Sequence, residues 1–176
     1  MNIFFLSGKT SRCARWHCDK HVVKMILEYC QMLYTAHHVH GSSANVHAEA
    51  PVCESTGKRG FQKHAANHPS TLWVCESLAH YMWLVQLGLD LCREYNHRFS
   101  PKGRHKCHAH LLWLKKNVPA NMVFKRYWLR DPPPAMPDEY KVPGSSLESY
   151  WNYYNGSKRE RGLLKYTNRH IPHIFL

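Results

Sequence analysis

The sequence lacks any long hydrophobic run: its longest purely apolar opening stretch is Ile3–Leu6, far short of the ~20 residues that span a bilayer. It carries no internal repeat, no low-complexity tract and no Cys-x-x-Cys pair. Its first residues, Met1-Asn2-Ile3-Phe4-Phe5-Leu6-Ser7, lack the basic start and long apolar middle of a signal peptide. They are expected to form a short buried strand that opens the fold. No phosphate-cradling glycine loop, nucleophile elbow or clustered acidic metal site is visible. Acid is also scarce, with 12 Asp and Glu against 24 Lys and Arg, for a formal net charge of +12. Such an excess favours an anionic partner, with nucleic acid ahead of an anionic membrane surface. Seven cysteines, an odd number without paired spacing, fit buried reduced thiols better than a disulfide framework. An intracellular compartment, cytosolic or nuclear, is the matching expectation.

What the sequence has is a core. At 176 residues, with 44% hydrophobic and 12% aromatic content, the chain suits one domain over residues 1–176. The hydrophobic spacing predicts a mostly α fold, a single-domain helical bundle with a short N-terminal extended segment and long loops. A first helix is expected from Ser11 to His38, with Val22, Val23, Ile26, Leu27, Cys30 and Leu33 on its apolar face. Residues 40–60 read as a loop insertion, long for a compact domain. Asn67-His68-Pro69-Ser70 starts a second helix that runs to about Arg98, bent at Gly88, and feeds the core through Trp73, Leu84 and Leu87. A shorter helix covers about His105 to Asn117. A Pro-rich linker follows at residues 131–144. A last helix begins near Ser145, whose side chain can cap it while Glu148, three residues on, reaches back to complete a capping box.

Two constellations suggest chemistry. His17, His21, Lys24 and Glu28 are spaced by four, three and four residues. On one helix they share roughly a 60° sector opposite the apolar face. Imidazoles, an amine and a carboxylate on one stripe are tools of acid–base work, although a solvated polar face has the same spacing. Near the C-terminus, Trp151, Tyr153 and Tyr154 alternate with Lys158, Arg159 and Arg161. Cations displace counterions at phosphates and flat rings stack on exposed bases, so these six, with His17 and Lys20, are the candidate nucleic-acid contacts. The alternative is an amphipathic helix with its rings turned inward. The clusters His105, His108, His110 and His37, His38, His40 match no zinc motif, and neither metal nor cofactor is expected.

The strings Asn2–Ser7 and His17–Glu28, with Asn67-His68-Pro69 and Ala135–Lys141, resemble a family of small uncharacterised viral proteins over most of the chain. More remotely, the chain is similar to the pyrimidine-dimer DNA glycosylases of the phage endonuclease V type. Those proteins carry an Asp-x-His and a Glu seven residues past the His, positions matched here by Asp19, His21 and Glu28. Their C-terminal Trp, Tyr pair and Gly-Lys are matched by Trp151, Tyr153, Tyr154, Gly156 and Lys158. The resemblance implies a DNA glycosylase and abasic-site lyase acting on double-stranded DNA, with Glu28 catalytic, His21 assisting and an amine as nucleophile. The second residue here is Asn rather than a small residue, so the amine is that of Met1, or that of Lys20 or Lys24. A non-enzymatic nucleic-acid-binding or virion protein, and a metal-dependent nuclease, are the alternative readings.

Overall fold

The computed structural model describes residues 1–122 and 129–176. The mostly helical expectation holds. Among the described residues seven α-helices run in chain order: α1 (Thr10–Trp16), α2 (Asp19–Val39), α3 (Ser43–Glu49), α4 (Pro69–Glu76), α5 (Leu78–Phe99), α6 (His108–Lys116) and α7 (Ser146–Tyr153). The long helices α2 and α5 pack against each other at the centre, flanked by α1, α4 and α6. Among the described residues no helix is long and apolar enough to cross a membrane.

The expected first helix is two helices. His17 and Cys18 adopt extended backbone between α1 and α2. Tertiary bonds fix that break. The backbone N–H of Asp19 donates to the Lys165 carbonyl at 2.8 Å, and the Asp19 carboxylate accepts from Thr167 Oγ1 at 2.8 Å and Arg98 Nη1 at 3.0 Å. A carboxylate in the first turn also suits the positive end of the helix dipole. The buried arc of α2 is rotated from the expected one. Val22, Met25, Ile26 and Tyr29 are buried, whereas Val23 and Leu27 are exposed, because the N-terminal segment and the C-terminal helix cover the other flank.

The second expected helix also divides, at Ser77, whose Oγ accepts from His80 N–H at 3.1 Å and caps α5. The His80 ring stacks on Trp73 across the break, with centroids 4.2 Å apart. Trp73, Leu84 and Leu87 all lie in the core, and α5 is the longest helix described. The helix α5 runs unbroken through Gly88; a Cβ there would meet Leu111 Cδ2 at 2.8 Å, so the glycine allows α6 to approach closely.

The N-terminal segment is extended and buried at Ile3–Leu6 but forms no strand with any described residue. Side chains satisfy part of its backbone where a sheet neighbour would. Cys13 Sγ accepts from Leu6 N–H at 3.4 Å and donates to the Phe4 carbonyl at 3.2 Å, and Trp151 Nε1 donates to the Leu6 carbonyl at 3.0 Å. The loop expected at 40–60 contains α3 and an isolated bridge between Val52 and Arg59. The linker at 131–144 includes a 3₁₀ turn at Asp138–Tyr140. Ser145 caps α7 by accepting from Glu148 N–H at 3.2 Å. After α7 a π-type turn, Tyr154–Lys158, carries the chain on, and Gly156 gives Tyr140 its place there, a Cβ meeting Cε1 at 2.5 Å. Among the described residues no disulfide joins any of the seven cysteines.

Candidate active site

The buried N-terminal segment delivers its own amine to the middle of α2. The residue-1 nitrogen lies 3.9 Å from Glu28 Oε2, and the Asn2 backbone N–H donates to the same oxygen at 3.2 Å. Lys24, one turn earlier on α2, places Nζ 3.0 Å from the other oxygen, Oε1. Glu28 is 13% exposed, so its carboxylate is surrounded by two amines and an amide in a mostly enclosed position. An ionised carboxylate so placed can take a proton from a neighbouring amine and stabilise a cation formed on it.

Asn2 is held firmly. Its Nδ2 donates to the Ala135 carbonyl at 2.9 Å, and its Oδ1 accepts from the hydroxyl of fully buried Tyr150 at 2.6 Å. Ala135 N–H donates to that same hydroxyl at 3.3 Å. The Pro-rich segment and α7 therefore act as a clamp on residue 2, and through it on the amine. His68 stands at the N-cap of α4, within electrostatic reach of both the residue-1 amine and Glu28. Burial lowers its basicity most, the nearby amine lowers it further, and Glu28 opposes the shift.

Of the other residues expected from sequence, His21 is buried. It stacks on Phe4 with centroids 3.9 Å apart, and its Nδ1 lies 2.6 Å from the Tyr154 hydroxyl. Burial, with His17 and Lys158 nearby, pushes it down to about 2, so it is neutral at ordinary pH. His17 is no member of a helical stripe and cannot meet nucleic acid, because it closes α1 and is fully buried between the Cys13 carbonyl and the Tyr29 hydroxyl. Tyr154 is fully buried and is likewise unavailable as a stacking platform. Lys158 is 5% exposed, with Nζ 4.0 Å from the Tyr153 ring centroid and 5.7 Å from that of Phe4. Its charge is held by ring faces rather than offered to phosphate.

Trp151 and Tyr153 are half-buried, while Lys20, Arg159 and Arg161 are exposed. Arg159 bonds the Phe175 and Leu176 carbonyls and so secures the end of the chain. Among the described residues no group of three or more His, Cys, Asp or Glu is placed to hold a metal. Four of the histidines considered for one bond other groups: His37 bonds Tyr81, His38 bonds Ser43, His40 bonds the Cys75 carbonyl and His110 bonds Tyr34. A cleft of about 730 Å³ opens beside Lys24, with Val23, Leu27, Phe61, Tyr95 and Arg104 in its walls.

Of the residues expected from sequence, the fold brings Glu28, Lys24 and the residue-1 amine together. Sequence reasoning missed Asn2 and Tyr150 as a clamp. Compared with known proteins, the chain matches no family model, no curated protein and no solved structure.

Proposed function

We propose that the chain is a DNA glycosylase and abasic-site lyase that uses the residue-1 amine as nucleophile and Glu28 as its catalytic carboxylate. The observation that carries this reading is the position of Glu28 Oε2, 3.9 Å from the residue-1 nitrogen and tied to the Asn2 amide. An amine beside a fixed carboxylate is an activated nucleophile. The unprotonated amine adds to C1′ of the sugar, and the bond from C1′ to the base breaks, its electron pair leaving with the base, which takes up a proton. The nitrogen lone pair then opens the sugar ring to an iminium ion, which the Glu28 carboxylate stabilises. Loss of the C2′ proton expels the 3′ phosphate, and water releases the free amine.

The net charge of +12 supports an anionic polymer as substrate, held through its phosphates. A reacting base must leave the stack, at least cost at a lesion. The reading requires Met1 to be the first residue of the mature chain, which an intact mass reads directly. Borohydride adds hydride to the imine carbon and fixes the protein on DNA as a secondary amine. Wild-type protein with an abasic duplex is expected to trap, and Glu28→Gln to lose trapping by about 10²-fold or more while keeping DNA affinity. DNA binding without trapping on any abasic or damaged duplex contradicts the reading and leaves a binding protein.

A further inference from the structure

We propose that the recess between α1 and α5, with the cationic face of α1 beside it, seats the phosphate backbone of duplex DNA. The inference rests on the DNA-binding part of the reading above and on none of its amine chemistry. Two of the cations expected near the C-terminus are otherwise engaged: Lys158 is held by the Phe4 and Tyr153 rings, and Arg159 bonds the Phe175 and Leu176 carbonyls. Phosphates are met best by charge that has no partner of its own, and α1 carries it. The helix contains no acid, and Lys9 precedes it as N-cap. Cys13 and Ala14 turn inward, while Lys9, Arg12 and Arg15 are exposed. Among the described residues no carboxylate pairs with any of the three.

The recess holds about 470 Å³, with Ser11 and Arg15 of α1, Asp90, Arg93 and Glu94 of α5, and Arg169 from the C-terminal segment in its walls. Its two carboxylates are already matched. Asp90 pairs with Arg93, and Glu94 accepts from Arg98 Nε at 2.7 Å and from Arg169 Nε and Nη2 at 2.9 Å each. Arg98 also bonds Asp19 at 3.0 Å. Arg15, Arg93, Arg98 and Arg169 thus stand against Asp19, Asp90 and Glu94, and the charge left over is that of Arg15. The paired arginines keep donors to spare. A guanidinium has five N–H groups, and Arg169 gives Glu94 only those of Nε and Nη2, which leaves Nη1 for a second acceptor.

Planar guanidinium forks match the oxygens of a phosphodiester, which they can bind through two parallel hydrogen bonds. From Lys9 to Arg15 the chain rises about 9 Å at 1.5 Å per helical residue, roughly the axial advance of two or three phosphates along one DNA strand. A row of that length suits a polymer better than a single anion. The Arg12 guanidinium lies 5.9 Å from the Trp16 ring centroid, and Trp16 packs on Trp151 and Phe175 with centroids 6.3 and 6.2 Å away. The ring therefore positions that charge. An anionic membrane is served less well, because α1 exposes no large apolar side chain to enter one. Contacts of this kind fix the protein on the duplex and read no sequence.

Arg12→Gln with Arg15→Gln removes two of these charges and keeps the Arg15 carbonyl that Arg98 bonds. Binding of a labelled duplex is followed by fluorescence anisotropy across a range of salt concentrations. The slope of log K against log salt is expected to flatten by about 1.8, at ~0.9 for each lost phosphate contact, and to do so for duplexes of unrelated sequence alike. Lys115→Gln with Lys116→Gln takes the same charge from exposed positions on α6 and should keep the wild-type slope. An unchanged slope in the α1 variant, or equal flattening by both pairs, overturns the inference and leaves DNA binding standing. An α1 variant that keeps its slope on DNA but no longer binds phosphatidylserine vesicles overturns it in favour of a membrane contact. Wild-type protein that does not bind duplex DNA overturns both readings. Native protein gives a check free of any variant: bound duplex should shield Arg12 and Arg15 from phenylglyoxal, read by peptide mass, and equal labelling with and without DNA would overturn the proposal.

Discussion

Tyr150→Phe isolates the clamp on residue 2. The ring is fully buried and meets Phe4 edge-on at 5.9 Å between centroids, contacts that phenylalanine keeps. Only the hydroxyl is lost. It donates to Asn2 Oδ1 at 2.6 Å, lies 3.2 Å from the Pro133 carbonyl and accepts from Ala135 N–H at 3.3 Å, and each of these groups loses that partner. A buried polar group deprived of its partner costs about 1–3 kcal/mol. The Ala135 bond is long and Asn2 is only half-buried, which places the total near ~2 kcal/mol. For a chain of this length that loss lowers Tm by about 4–8 °C. Urea unfolding should show a lower midpoint with an unchanged slope. Asn2→Leu breaks the same contact and, being no small residue, keeps Met1, so the double variant should cost less than the sum of the two singles. Because the Asn2 amide also bonds Glu28, slack in the clamp should slow borohydride trapping as well. A Tyr150→Phe protein within about 0.5 kcal/mol of wild type, with additive behaviour beside Asn2→Leu, would refute the clamp.

The fully buried Arg98 guanidinium bonds Glu94 at 2.7 Å, Asp19 at 3.0 Å and the Arg15 carbonyl at 2.9 Å, holding the α1–α2 break; Arg98→Met should therefore cost about 3–5 kcal/mol in urea unfolding, and a loss under about 1 kcal/mol would contradict that role. Burial pushes His17 and His37 down to about 4 and His21 to about 2, from an ordinary 6.5. The unfolded chain therefore binds protons that the folded chain refuses. The stability these rings contribute is complete above pH 6.5 and is lost as pH falls toward 4, by up to about 1.4 kcal/mol per pH unit for each ring. Stability measured in urea that stays level across that interval would show that the rings are not held neutral.

How far the sequence reveals this molecule depends on the range of the interaction. The helical periods of α5 and α6, the proline start of α4 and the Ser145 cap are local, and all are legible. The break at His17–Cys18 is not, because Arg98 and Thr167, far along the chain, impose it through Asp19. The break takes His17 out of the apparent stripe and packing buries His21, yet Lys24 and Glu28 keep their one-turn spacing and remain together. The inward turn of Tyr154 and Lys158 follows from packing on Phe4 and His21, which composition does not encode. Asn2 and Tyr150 meet across 148 residues, and neither belongs to a periodic pattern that points to the other. Glu28 stands out in the sequence because its spacing from Asp19 and His21 is a short local motif; the clamp becomes visible only when the chain is folded.

The central claim is that the residue-1 amine, activated by Glu28, bonds covalently to an opened sugar. One measurement meets it directly: borohydride reduction of wild-type protein on an abasic duplex, followed by digestion and mass mapping of the DNA-bearing peptide. The account predicts a single adduct on the residue-1 nitrogen, absent in Glu28→Gln. An adduct on Lys20 or Lys24, or no adduct with either protein, would contradict it.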